Sequence, residues 1–165
     1  MSPFELVIIV ATLLCGLTAG FVFAFASVVM PGIAKLDDRS YIRAFQVIDG
    51  VIQAGQPVFG LVWIGSVLAV LVAMGMAVLQ HDSIAQVLVC TSAFAYVLGV
   101  QLPTFRINVP LNNTLQSLDT DTMDGVDLAA ARRHFESRWV TWNVVRTVVA
   151  SLVSALLMCT LLWMS

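Results

Sequence analysis

The chain reads as an all-α integral membrane protein: a four-helix bundle whose fourth helix extends out of the bilayer at the cytoplasmic end. Three observations predict this. Charged residues are 11% of 165 and hydrophobic residues 59%, whereas a soluble domain carries about 25% charged residues. Four apolar runs, at about residues 4–30, 57–79, 84–105 and 139–164, are each long enough to cross a hydrocarbon core. Upstream of the fourth run the helical spacing continues without a breaker through Leu128, Ala131, Phe135, Trp139 and Trp142, so that helix starts near Asp127, outside the membrane.

The first run lacks a basic start and exceeds a signal peptide's apolar core in length, so it is read as a retained span. Glu5 lies at its outer end, in water. Gly16, Gly20 and Ala24 repeat every four residues, a small face that lets another helix approach closely, from this chain or a second copy. Pro31-Gly32 closes the span. Residues 35–56 then carry an apolar stripe of Ile42, Phe45, Ile48 and Ile52, with Arg43, Gln46, Asp49 and Gln53 largely opposite. That pattern predicts an amphipathic helix lying at the interface. Asp49 and Gln53, one turn apart, face either water or the bundle.

The second run opens on Pro57, suited to a helix start, and carries its own small stripe of Gly65, Ala69, Ala73 and Ala77. A very short turn, Gln80-His-Asp-Ser83, makes the second and third spans antiparallel neighbours. His81 reads as a solvated turn residue. Tyr96 and Gln101 are the polar members of the third span, and Pro103 disturbs its last turns. Next, Arg106-Ile-Asn-Val-Pro-Leu-Asn-Asn113 reads as a helix end, where Pro110 frees carbonyls. Asn108 and Asn112 can either satisfy that backbone or orient a ligand. Asp119, Asp121 and Asp124 lack the glycine and terminal glutamate of a calcium loop and suit a helix start instead.

Several classes of function are excluded at this stage. A net charge of −2 offers no basic surface for nucleic acid, and no Gly-rich phosphate loop is present. Cys15, Cys90 and Cys159 fall singly in three apolar runs, as packing residues do, with no Cys-x-x-Cys pair. His134-x-Glu136 lacks the downstream cysteines of a deaminase zinc site. The two histidines fall on opposite sides of the membrane, which rules out a bis-histidine haem. No metal and no cofactor is therefore expected.

Polar residues converge at one end of the bundle. Trp139, Trp142, Asn143 and Arg146 stand at i, i+3, i+4 and i+7, on one face of a helix. The indoles suit a membrane–water interface. Arg146 sits about two turns deeper, roughly 10 Å along the axis, so it either snorkels back to water or meets polar partners inside the bundle. Lys35, Arg39 and Arg43 flank the first connection, and Arg106, Arg132, Arg133 and Arg138 the third, against none at the other end. The positive-inside rule then puts connections 31–56 and 106–138 in the cytoplasm and both termini outside. The glycosylation sequon at Asn112-Asn-Thr114 is discounted for that reason.

Asn108-x-Pro-x-Asn112, followed by Trp139-x-x-x-Asn143-x-x-Arg146-Thr147, resembles the anthrone oxygenase-like family of small four-span membrane proteins. The likeness reaches back to the glycines and closing Pro31 of the first span. It implies oxidation of an apolar polycyclic phenol or anthrone by dioxygen, with no metal or organic cofactor. Asn108, Asn112, Trp139, Asn143 and Arg146 carry the family pattern, and no residue marks the base. On this reading Arg146 and Asn143 hold a developing oxyanion and Asp49 or His134 takes the proton. Asn108, Asn112, Trp139 and Trp142 bind the ring. Two other classes fit the same sequence: a non-catalytic bundle that binds a lipid or quinone, and a small subunit packed on another membrane protein.

The topology is tested by reporter fusions at Ser165 and Gly125. An external signal from the first and a cytoplasmic one from the second are expected, and the reverse pattern overturns the orientation.

Overall fold

A computed structural model describes residues 1–80 and 82–164, which form helices joined by turns, with no strand among them. His81 lies outside the described residues. Five helices result: α1 Pro3–Ile33, α2 Asp38–Gln53, α3 Pro57–Ala77, α4 Ser83–Gln116 and α5 Gly125–Met164. All but α2 are long and apolar enough to cross a membrane. At 40 residues, α5 is roughly 60 Å long.

Local chemistry sets the helix starts. Ser2 and Glu5 form a reciprocal capping box at the head of α1 (3.2 and 3.1 Å), which gives Glu5 a structural role beyond facing water. Asp37 accepts from the Ser40 N–H at α2, and Asp82 from Ile84 and Ala85 at α4. Of the three loop aspartates, only Asp124 serves a helix start, accepting from Val126 and Asp127 at 2.9 Å. Asp121 pairs instead with Arg43.

The third span does not end near Phe105. It runs on through Pro103 and Pro110 to Gln116 as one helix, so residues 106–113 are helical. A proline inside a helix removes one N–H and crowds the carbonyl four residues back. Here the residue before each proline reaches one residue further: Leu102 donates to the Val97 carbonyl and Val109 to that of Thr104. These π turns widen the helix where the ring must fit. Pro31 in α1 is accommodated in the same way, with Met30 donating to Phe25, and that helix continues to Ile33.

Around the bundle the order is α1, α3, α4, α5, each packed on its two neighbours. Ile8, Ala11, Cys15, Val70, Ala73, Val89, Tyr96, Ala150 and Leu157 fill the interior. Leu61, Val87 and Leu152 are more than half exposed on the outside, the surface a hydrocarbon solvent requires. Gly65, with Ala73 and Ala77 buried below it, packs against Leu14. Gly16, Gly20 and Ala24 do not serve this bundle. No side chain lies within 4 Å of a Cβ at either glycine, and Gly20 and Ala24 are exposed.

Beyond the bundle, α2 lies across α5 and the last turns of α4. Its Ile42 and Phe45 are fully buried with Phe135, Trp139, Leu111 and Leu115, so the expected lipid-facing stripe packs on protein. Arg132 of α5 fastens the α1–α2 link. It donates to the carbonyls of Ala34 and Leu36 (2.8 and 2.9 Å), pairs with Asp38 and Glu136, and lies 4.4 Å over the Tyr41 ring. Its pKa is raised, chiefly by Glu136. Burial pushes that of Tyr41 up.

Among the described glycines the closest contact is at Gly99 of α4, where an added Cβ would stand 2.7 Å from a Val149 methyl of α5. Gly99→Ala should destabilise by about 1–3 kcal/mol, because branched Val149 has no free rotamer to yield. Val149→Ala in the same chain should recover most of the loss. Thermal unfolding in detergent measures both; an unchanged Gly99→Ala midpoint contradicts the close packing.

Candidate functional site

All five helices wall a cavity of about 520 Å³ at the end of the bundle covered by α2. Its sides are apolar and aromatic: Phe21 and Phe25 from α1, Phe45 and Ile52 from α2, Phe59 and Trp63 from α3, Phe105 from α4 and Trp139 from α5. Phe59 and Trp63 stack at 5.3 Å and 24°. Against this lining stand seven polar side chains: Gln56, just ahead of α3, and Asp49, Thr104, Asn108, Asn112, Asn143 and Arg146 from three helices. Few polar groups in a large apolar wall is the composition of a site for a small organic molecule.

The asparagines are placed by the π turn. Thr104, Asn108 and Asn112 are four residues apart, a spacing that drifts by roughly 40° per step on an α-helix. The π turn over Thr104–Asn108 carries more residues per turn and offsets part of that drift, so all three reach one cavity. Their amide orientations follow from partners that can play only one part. Asn108 Nδ2 donates to the Trp139 carbonyl (3.2 Å). Asn112 Oδ1 accepts from the Trp139 indole N–H (2.7 Å) and its Nδ2 donates to Asp49 Oδ1 (2.7 Å). Asn143 Nδ2 donates to the Val22 carbonyl (3.0 Å).

Asp49 is buried and points into the bundle. Besides Asn112, it accepts from Gln53 Nε2 (2.6 Å) and Gln116 Nε2 (3.1 Å). Three amide N–H groups thus hold its two oxygens in place. No cation faces Asp49 among the ion pairs of the described residues.

Arg146 is 5% exposed; it stays inside the bundle. The expected partners Asn108, Asn112 and Asp49 do not receive it. Nη1 donates to Thr104 Oγ1 (3.0 Å) and Nη2 to Asn143 Oδ1 (2.9 Å), and the guanidinium lies 5.7 Å from the Trp139 ring centre. Those acceptors are neutral, and among the described residues no carboxylate stands within ion-pair distance of Arg146. Two buried polar atoms in this wall have no partner: Arg146 Nε and Asn108 Oδ1. Buried groups are left unsatisfied rarely and at a cost. One is a donor on a cation and the other an acceptor on an amide.

Two sequence candidates are not brought in. Trp142 is half-buried and lies outside the cavity wall, because its rotation about α5 carries it past the face that Trp139, Asn143 and Arg146 share. His134 is exposed and borders a separate small recess with Leu111 and Leu115, two turns short of the cavity. Among the described residues no three His, Cys, Asp or Glu side chains gather at metal-ligand spacing.

Sequence reasoning missed Thr104, Trp63 and the phenylalanines. Thr104 was detectable from its four-residue spacing to Asn108 and Asn112. Trp63 donates its indole N–H to Gln101 Oε1 (3.0 Å), a pairing across two helices that no local spacing reveals.

Comparison with known proteins bears on this site. The family model described as anthrone oxygenase matches residues 49–157. The chain belongs to the anthrone oxygenase family. That stretch begins at Asp49 and takes in all seven polar residues of the wall. No curated protein and no solved structure matches the chain.

Arg146→Lys tests the role of the planar fork. Lysine keeps the charge but cannot serve Thr104, Asn143 and a ligand together. Binding of dihydroxyanthrone, followed by quenching of tryptophan fluorescence, should weaken about tenfold or more, the scale of a lost charge-assisted hydrogen bond. Arg138→Lys, at an exposed position, should leave it unchanged. Equal, small effects would remove Arg146 from the site.

Proposed function

We propose that this protein is a membrane oxygenase that converts an anthrone-type hydroxylated polycycle to the corresponding quinone with dioxygen. The observation that carries the reading is the uncompensated buried guanidinium of Arg146. A cation with neutral partners and a free Nε–H in an apolar enclosure stabilises an anion that forms there. An anthrone ionises to an aromatic oxyanion, and the flat rings suit the walls of Phe21, Phe25, Phe59, Trp63 and Trp139. Asn108 Oδ1, the other orphan, would accept from a ring hydroxyl.

The chemistry balances with two substrates. The ring methylene gives a proton to Asp49, and the electron pair delocalises onto the ring oxygen, held by Arg146 with Asn143 fixing the guanidinium. Asp49 suits proton acceptance by position, since it lines the cavity and its three amide donors fix the carboxylate there. The anion passes one electron to dioxygen, and the resulting radical and superoxide join at the former methylene carbon. That peroxide recovers the proton from Asp49 and loses water as the second carbonyl forms. One anthrone and one dioxygen give one quinone and one water. On this reading the residues bind, move a proton and hold charge, and the substrate itself reduces dioxygen.

The basic residues other than Arg146 fall toward the site's end of the bundle, in the link before α2, in α2, in the later part of α4 and at the head of α5. By the positive-inside rule that end faces the cytoplasm.

Purified protein in detergent, given dihydroxyanthrone in air-saturated buffer, should consume dioxygen and form the quinone at a rate above the spontaneous one. Asp49→Asn should lower the rate about a hundredfold, the scale of a lost general base, while binding persists. Prior chelation should leave the rate unchanged. A rate equal to the protein-free control overturns the oxygenase reading, and a rate lost on chelation and restored by one metal overturns the cofactor-free step.

A further inference from the structure

Beside the candidate site lies a second cavity of about 670 Å³ between α1, α2 and α3. The two cavities share Phe21, Phe25, Ile52, Gln56, Phe59 and Trp63 as walls, so side chains separate them. Phe21 is the centre of that partition. Its ring stands 4.9 Å from Phe25, 5.1 Å from Phe59 and 6.5 Å from Trp63.

The compartments differ in chemistry. Arg146, Asp49 and the asparagines line only the first. Among the described residues, Thr18 is the one polar residue that lines the second alone; the others are aliphatic. Water is poorly held by such a lining, since an enclosed water needs two to four polar partners, as a rough rule. At the mouth, Leu17 of α1, Val47 and Val51 of α2 and Val58 of α3 are 50–73% exposed, and Leu13 of α1 and Leu61 of α3 continue the apolar outer surface. The second cavity therefore opens sideways, toward hydrocarbon.

We infer that the second cavity is the subsite for an aliphatic chain carried by the ligand, whose hydroxylated aromatic head occupies the first. This rests on the reading of the first cavity given above. A rigid tricycle held at Arg146 and Asn108 fills only the polar compartment. The adjoining space has the opposite chemistry, is reached past side chains alone and leads to the bilayer. An amphiphile dissolved in the membrane would enter head first between α1 and α3, displace the Phe21 ring and leave its chain trailing in the second cavity. The substrate class is thus an alkyl- or isoprenyl-substituted hydroxyaryl ketone.

The test uses two probes, dihydroxyanthrone and the same ring bearing a decyl chain, with binding read from tryptophan quenching in one detergent. Detergent partitioning of the chain is common to all variants, so the ratio of the two affinities is the readout. In the wild type the chain should tighten binding about tenfold or more, in keeping with the burial of several methylenes. Val51→Trp and Val62→Trp fill the second cavity from α2 and α3 without lining the first. Val51 is exposed, so a tryptophan there leaves the core unstrained. Either change should abolish the chain's advantage and leave the bare ring within about twofold, because contacts at Arg146 are untouched. Phe21→Ala, which joins the two cavities, should preserve or increase the advantage. A ratio equal in the wild type and both filled variants overturns the subsite even while the bare ring binds. Failure of the bare ring to bind the wild type overturns the reading of the first cavity, and this inference with it.

Discussion

The hydrogen-bonded series from the Trp139 indole through the Asn112 amide to the Asp49 carboxylate joins α5, α4 and α2. Much of the structure depends on it. Each member is half-buried or buried, so each must find a partner inside the protein. Asn112 alone presents an acceptor to one side and a donor to the other, which fixes the order of the three. The series also makes α2 part of the site. Without Asp49 tied down, that helix would rest on its apolar packing and the Arg132 clamp, and the cavity would lack a roof.

The prolines are the second constraint. Pro103 and Pro110 would end a helix in most settings, and an α4 broken there would carry Asn108 and Asn112 into a loop. The π turns keep the helix whole and hold a polar stripe against the cavity. Pro31 is matched by the π turn at Phe25, whose ring packs on Trp139 at 5.7 Å. Two of these π turns, at Phe25–Val29 and Thr104–Asn108, thus contribute residues to the same cavity, as altered helical turns at functional places often do.

Arg132 and Arg146 show what a guanidinium does with and without counter-charge. Arg132 has two carboxylates, two carbonyls and an aromatic face. It is fully occupied and joins parts of the fold. Arg146 has two neutral oxygens and a ring. Holding a cation in that state is costly, and an anionic ligand would relieve the cost. On the proposed reading, such a site binds the ionised form of its substrate better than the neutral form, which is the condition for catalysis by charge stabilisation.

By itself the sequence determined the membrane class, the four spans, the long fourth helix and the face on which Trp139, Asn143 and Arg146 lie. Hydrophobic run length and helical period are local quantities, and a helix satisfies its own backbone, so both are readable along one chain. Family membership was likewise visible in the Asn-x-Pro-x-Asn and Trp-x-x-x-Asn-x-x-Arg-Thr motifs. Only the tertiary structure decided that α4 passes through its prolines, because whether a π turn forms depends on the packing that holds the helix together. It decided that Asp49 faces inward, where the sequence left water and bundle both open, since an amphipathic stripe does not say whether lipid or protein covers it. It turned Trp142 away, paired Arg146 with Thr104 instead of Asn108, Asn112 and Asp49, and set Trp63 on Gln101. Each of these is a contact between helices far apart in sequence, fixed by the rotation and tilt of one helix against another, which no spacing within a single helix encodes.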